Sequence, residues 1–178
     1  GSAPKVMLVK RTSSSSAWTC FFKVLGNTKR LILNSTGAVE TATSWWNSTD
    51  PTSSVFSLGT SGGVNASSET YIAYCFAEKK GFSKFGSYTG NGNADGTFVY
   101  TGFRPAWIMI KRTDGADTWT MYDNKRIGYN VDNNPLFANA DTTESTDDDL
   151  DILSNGFKIR RNSGRINTDG ANMVYMAF

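Results

Sequence analysis

At 178 residues, with a net charge of +2 and 19% charged side chains, the chain is long enough to bury a core but gives no electrostatic case for a nucleic-acid partner. Its Lys and Arg stand in scattered pairs (Lys10-Arg11, Lys29-Arg30, Lys79-Lys80, Arg160-Arg161) and form no basic stripe, so they read as solvated strand ends. Membrane insertion is not expected, because no apolar run approaches the roughly 18 residues of a span.

No histidine is present. That removes Ser-His and Cys-His activation of a nucleophile and the commonest metal ligand. Abundant Ser, Thr, Asn and Gly beside 13% aromatic residues point to an all-β chain with many turns. No signal peptide is visible, and Gly1-Ser2 reads as a cloning remnant.

In chain order, Val6 to Val9 is apolar on both faces and ends in Lys-Arg-Thr, the pattern of a strand covered on both sides. Ser13 to Ser16 turns into a strand bearing Trp18. Arg30 to Asn34 is a short strand, and Thr41 to Ser54 is a loop because Asp50-Pro51 and the Ser/Thr excess favour turns. Val55 to Leu58 returns to strand, Gly62-Gly63 turns, and Thr70 to Ala77 is a long strand. Its residues Tyr71, Ala73 and Cys75 face one way, and Ile72, Tyr74 and Phe76 the other.

Phe82, Phe85 and Tyr88 precede a Gly90-Asn91-Gly92 turn, which needs positive φ and is no phosphate cradle, since it opens no helix and lacks the P-loop lysine. Thr97 to Thr101 is a strand, as is Trp107 to Ile110. Asp114 to Asp117 turns into a strand bearing Trp119. A long irregular section, Tyr129 to Asp149, leads to strands near Ile152 to Arg161 and Asn172 to Phe178. No window holds a capped 3.6-residue apolar period, so almost no helix is expected.

Two stretches repeat. Pro4 to Thr19 and Pro105 to Thr120 align without a gap at an offset of 101 (105 − 4), with six of sixteen positions identical, including Lys10/Lys111, Arg11/Arg112 and Trp18/Trp119. Ile72, Tyr74 and Phe76 answer Val174, Met176 and Phe178 at an offset of 102 (174 − 72). The chain therefore contains an internal repeat, 4–76 and 105–178, joined by the strand-bearing segment 79–104. The expected architecture is one antiparallel β-sandwich over 1–178 built from the two duplicated halves, because each sheet alone leaves an apolar face in water. Two tandem small sandwiches are the alternative. Cys20 and Cys75 have no counterparts in the second copy (Met121 and Ala177), so they read as buried free thiols.

The stretch from Thr70 to Thr113, TYIAYCFAEKKGFSKFGSYTGNGNADGTFVYTGFRPAWIMIKRT, resembles a repeat of bacteriophage structural proteins, especially tail-fibre and tail-associated proteins of marine and enteric phages. Ser44 to Gly59 and Asp149 to Arg160 are similar to the same family. The resemblance implies a virion protein outside the cell, with a lectin-like or jelly-roll sandwich. It also implies host-surface glycan or receptor binding, contacts with other virion proteins, and a homo-oligomer by analogy with trimeric fibres. In that family the first copy is usually preceded by its own YTGNG-type strand pair, whereas here the sequence starts directly at Pro4.

The candidate ligand-binding group is Trp45, Trp46, Asn47 and Asp50, since sugars stack on indole rings while Asn and Asp fix their hydroxyls. Anchoring of the loop or an intersubunit contact is the competing reading for both tryptophans. Trp18, Trp107 and Trp119 are assigned to packing. Asp147, Asp148, Asp149 and Asp151, with Asp141 and Glu144 nearby, form the acidic cluster, in which Asp147, Asp149 and Asp151 are the candidate metal ligands. Their alternate spacing resembles the start of a Ca²⁺ loop but lacks the later Gly and Glu, so the expectation is a solvated acidic turn with at most a weak Ca²⁺ site and no other cofactor. No glutamate pair with glycosidase spacing is evident, so no enzymatic activity is expected. The functional expectation is a non-enzymatic virion domain that binds a host-surface glycan. The rivals are a purely architectural module and, below it, a glycosidase-like depolymerase.

Overall fold

β-Branched and aromatic residues at successive positions favour extended backbone, and the apolar runs before each Lys-Arg-Thr are strands. The computed structural model describes residues 1–127, 129–130 and 134–178. Residues 131–133, inside the expected irregular section, lie outside the described residues. The chain divides into two compact units, Gly1–Glu78 and Lys79–Phe178.

The first unit contains β1 (Val6–Arg11), β2 (Thr19–Phe22), β3 (Lys29–Ile32), β4 (Glu40–Thr41), a one-turn helix α1 (Gly62–Asn65) and β5 (Tyr71–Phe76). They form one antiparallel sheet in the order β4-β3-β2-β1-β5. The inner face of this sheet, Met7, Val9 and Phe21, is covered by Trp46 and Val64, with Trp45, Phe56, Leu58 and Tyr71 packed around them. A loop layer thus does the work of a second sheet. Phe21 meets Trp46 edge to face at 5.5 Å, a geometry that adds about 0.5–1.5 kcal/mol to the area buried.

The second unit contains β6 (Lys84–Thr89), β7 (Phe98–Tyr100), β8 (Trp107–Arg112), β9 (Trp119–Asp123), β10 (Leu136–Phe137), β11 (Leu150–Leu153), β12 (Gly156–Ile159), a one-turn helix α2 (Gly164–Asn167) and β13 (Asn172–Ala177). One sheet has the order β10-β9-β8-β13-β6, the other β11-β12-β7. Ile108, Ile110, Tyr122, Met173 and Tyr175 of the first close on Val99, Leu150, Ile152, Phe157 and Ile159 of the second. This unit is an antiparallel β-sandwich, and the all-β expectation holds across the chain.

The duplication extends to the register. Arg11 pairs with Tyr71, Lys10 with Ile72 and Met7 with Cys75. At offsets of 101 and 102, Arg112 pairs with Met173, Lys111 with Val174 and Ile108 with Ala177. The repeat also includes the helix turns: Ser61-Gly62-Gly63-Val64-Asn65 answers Ser163-Gly164-Arg165-Ile166-Asn167 at the offset of 102 (163 − 61).

The strand-bearing segment 79–104 supplies β6 and β7, one to each sheet of the second unit. Several expectations are corrected. Val55 to Leu58 forms no strand; it runs as irregular chain where Phe56 and Leu58 pack onto the sheet. The expected strand near Ile152 to Arg161 is a hairpin, β11 and β12, turning at Ser154-Asn155. Trp18 precedes β2 and is only half-buried. Both cysteines are free, Cys20 buried but Cys75 exposed, so the expectation of two buried thiols fails for Cys75. Among the described residues, no helix is long and apolar enough to cross a membrane.

Candidate functional site

Trp45 and Trp46 lie in the turn that follows β4 and meet different surroundings. Trp46 is 1% exposed. Its indole Nε1 donates to the Lys29 carbonyl at 2.8 Å, so its polar atom is satisfied inside the core. Trp45 is half-buried, with the Arg30 guanidinium 3.8 Å over its ring. Arg30 is held there by Glu40, which accepts from Nη2 at 2.6 Å and from Nε at 2.9 Å. A Cβ on Gly63 would lie 2.1 Å from Trp45 Cη2, so the ring rests directly on that glycine. Neither indole presents an uncovered stacking face. The pair anchors the covering loop.

Asn47 and Ser48 have φ of 51° and 46°. Asn is among the few side chains that tolerate this left-handed region, and here it reverses the chain after Trp46. Asp50 accepts from Lys23 Nζ and from Asn27 Nδ2, the latter at 3.1 Å. The Lys23 hydrogen bond holds its carboxyl below the usual carboxylate range. The four residues expected to make a sugar site are therefore two packing residues, a turn residue and a surface ion-pair member. Burial corrects the expected glycan contact at Trp46, while Trp45 is half-buried and Asn47 and Asp50 are exposed.

The acidic cluster is also not what its composition suggests. Asp149 is fully buried, and its Oδ2 accepts from Tyr122 Oη at 2.7 Å and from Arg165 Nη2 at 2.8 Å. Arg165 Nη2 also bonds Asp147 Oδ2 at 2.5 Å, and Arg161 pairs with Asp147. Asp147 is held well below the usual carboxylate range by hydrogen bonds from Ser145 first, then Arg165 and Arg161. Burial lowers the Arg165 pKa, but its bonds to Asp149 and Asp147 outweigh that and raise it. Burial, reinforced by the Asp149 charge, pushes the Tyr122 hydroxyl well above its ordinary value. Asp151 pairs with Arg160 at 3.2 Å.

Arginine thus takes the place that a metal would need. Among the described residues, no group of His, Cys, Asp and Glu could hold a metal ion. The solvated acidic turn is corrected to a half-buried ion-pair network, and the Ca²⁺ expectation at Asp147, Asp149 and Asp151 goes with it.

An exposed aromatic pair lies elsewhere, on β7. Val99 points into the sandwich while Phe98 and Tyr100 are 43% and 64% exposed on the opposite side. The register sets two rows across the three-stranded sheet: Tyr100–Gly156–Leu153 and Phe98–Lys158–Asp151. Gly156 adds no side chain between Tyr100 and Leu153. A Cβ there would sit 2.0 Å from the Val99 carbonyl and 3.2 Å from the Phe98 ring, so glycine is required. Lys158 Nζ lies 2.7 Å from Asp95 Oδ1. The Asn155 carbonyl accepts from Thr101 and Gly102 N–H at 3.0 and 3.1 Å, which fixes the chain after Tyr100. The result is a flat aromatic strip bordered by a charged pair and an amide. The signal was in Thr97 to Thr101: once the buried member of Phe-Val-Tyr is known, both rings must face out.

Asn167, fully buried on α2, fixes the Gly90-Asn91-Gly92 turn. Its Oδ1 accepts from Asn91 N–H at 3.0 Å, and its Nδ2 donates to the carbonyls of Asn93 at 2.7 Å and Arg161 at 3.0 Å. Gly92 has φ 62° as the turn requires. A Cβ on Gly90 would lie 2.3 Å from the Thr168 carbonyl, so the turn lies directly on the helix end.

No curated protein and no solved structure matches this chain. A family model matches residues 1–178, and the chain belongs to that family, the domain of unknown function DUF7483.

Proposed function

We propose that the chain is a non-enzymatic structural module of a phage virion that holds a host-surface glycan on the outer face of β7. The observation that carries this reading is the exposure of Phe98 and Tyr100 side by side on one strand. A pyranose presents an apolar C–H face that stacks on such rings, while its hydroxyls can accept a hydrogen bond from Lys158 or the Asn155 side-chain amide and donate one to the Asp95 carboxylate at the border. The virion setting rests on the resemblance of Thr70 to Thr113 to phage structural repeats. The non-enzymatic part is supported by the absence of histidine and by the sharing of Arg165 between Asp147 and Asp149, which leaves neither carboxylate ready for acid–base work.

A glycan array probed with the chain and with a Phe98→Ala/Tyr100→Ala double variant tests the reading. Specific glycan binding by the chain, lost at least tenfold in a variant of unchanged melting temperature, is the expected result. An array on which the chain binds nothing, or on which the variant binds equally well, overturns it. A second reading, a purely architectural module, is favoured by one observation: β5 ends its sheet on an edge without a strand partner among the described residues.

A further inference from the structure

Among the described residues, β7 is the last strand of the sheet β11-β12-β7. Two bonds between paired residues fix which of its backbone groups face β12. Ile159 N–H donates to the Thr97 carbonyl at 3.1 Å, and Thr101 N–H to the Asn155 carbonyl at 3.0 Å. Antiparallel ladders alternate, so Val99 also bonds β12, while Phe98 and Tyr100 turn both N–H and C=O to the open edge. The two residues with exposed rings therefore also offer two outward donors and two outward acceptors. They stand about 6.6 Å apart, two residues at the rise of a strand.

A glycine braces each ring. Phe98 leans across the sheet onto Gly156, where a Cβ would lie 3.2 Å from Phe98 Cε2. Tyr100 lies along Gly102, whose Cβ position is 3.5 Å from the Tyr100 hydroxyl. Polar groups close the strip at both ends, Asp95 and Lys158 beside Phe98 and Asn155 beside Tyr100.

Charge on this outer face is balanced pair by pair. Lys158 is held by Asp95 at 2.7 Å, and Arg160, one row further from Tyr100, by Asp151 at 3.2 Å. In the pair nearest the rings the Asp95 side chain is 84% exposed and that of Lys158 only 22%. An acidic sugar would have to displace Asp95 to reach the ammonium and would meet that carboxylate first, whereas an uncharged sugar leaves both pairs intact.

We infer, on the basis of the glycan reading of β7, that the ligand is an uncharged, extended glycan lying along the corner between the outer face and the open edge of this strand. Successive sugar rings stack on Phe98 and Tyr100. Their hydroxyls donate to the carbonyls, and accept from the N–H groups, of the same two residues. The rings supply affinity, and the paired charges exclude acidic sugars.

Two measurements test this. Amide hydrogen exchange of the free chain, followed by NMR, reads the edge without any ligand. Phe98 and Tyr100 should exchange at least tenfold faster than Val99, and equal protection of all three overturns the edge geometry. For the ligand class, the glycan array carries linear hexamers of uncharged hexoses beside hexamers of uronic acids of matched linkage. An uncharged hexamer should bind at least tenfold more tightly than its acidic match. Asp95→Asn, which releases Lys158 from its carboxylate, should narrow that ratio at least threefold. Equal binding of the two classes, binding confined to acidic or branched glycans, or an unchanged ratio in Asp95→Asn overturns the inference and leaves glycan binding standing. An array on which the chain binds nothing removes the glycan reading, and the inference with it.

Discussion

Gly63 and Arg165 hold the same position in the duplicated helix turns, and each is fitted to the layer that covers its own sheet. Gly63 leaves room for the Trp45 ring, 2.1 Å from where its Cβ would be. Arg165 reaches the carboxylates of Asp147 and Asp149 at 2.5 and 2.8 Å. One helix position therefore records how the two halves diverged, an aromatic loop cover in one and an ion-paired hairpin cover in the other. Gly63→Ala should destabilise the chain by about 1–3 kcal/mol through overpacking. Paired thermal melts would check it, with Gly62→Ala as control, because the nearest atom to a Cβ at Gly62 lies 3.7 Å away.

Asp149 is the buried member of its network, so Asp149→Ala should leave the Tyr122 hydroxyl without its acceptor and Arg165 with Asp147 as its one remaining carboxylate. Breaking one side of a buried pair costs about 3–5 kcal/mol, and urea unfolding is the measurement. Asp147 gives the pH signature. Its carboxyl is held below the usual range in the folded chain, so the unfolded chain takes up its proton first as acid is added. The stabilisation is complete above the ordinary carboxylate pKa and is lost as pH falls through the folded value. Asp147→Asn should unfold with a shallower acid dependence than the unaltered chain, and an equal slope in both would count against the network.

How much of this was legible in the sequence follows from range. Strand pairs in the repeat were readable because Val6 to Arg11 and Trp107 to Arg112 carry their own periodicity and end in the same three residues. The roles of Trp45 and Asp149 were not. Whether an indole is a platform or a plug depends on Arg30, fifteen positions away (45 − 30), and on Gly63. Whether an aspartate cluster is solvated depends on Arg161 and Arg165, which arrive from beyond the β11–β12 hairpin. Composition reports that such residues exist but not that the fold brings opposite charges together. Phe98 and Tyr100 were legible only as strand formers, because an alternating strand does not say which of its faces is buried.

Asn167 and Asn65 make a matched pair for mutation. Asn167→Ala removes an acceptor for Asn91 and two donor bonds in a fully buried site. Partners left unsatisfied there cost about 1–3 kcal/mol each where burial persists. Loss of several degrees in melting temperature is expected, with faster hydrogen exchange at Asn91. Asn65→Ala removes one bond at an exposed position and should shift stability by at most about 0.5 kcal/mol. Similar losses at both sites would argue against the asymmetry of the two helix ends.

Lys111 and Cys20 set opposing alkaline responses. Burial lowers the Lys111 ammonium from its ordinary 10.5 to about 8. Between those values the unfolded chain binds the extra proton, so stability should rise as pH climbs above 8. Cys20 is pushed up by burial from its ordinary 9.0. Above that pH the unfolded thiol ionises while the folded one stays protonated, which lowers stability and offsets the gain from the lysine. Chemical denaturation from pH 7 to 10 should then trace a rise above pH 8 that levels off above pH 9. Lys111→Met should remove the rise and leave a fall above pH 9, and Cys20→Ala should let the rise continue toward pH 10. A profile flat between pH 8 and 9 would contradict the burial of Lys111, and one still climbing steeply at pH 10 would contradict that of Cys20.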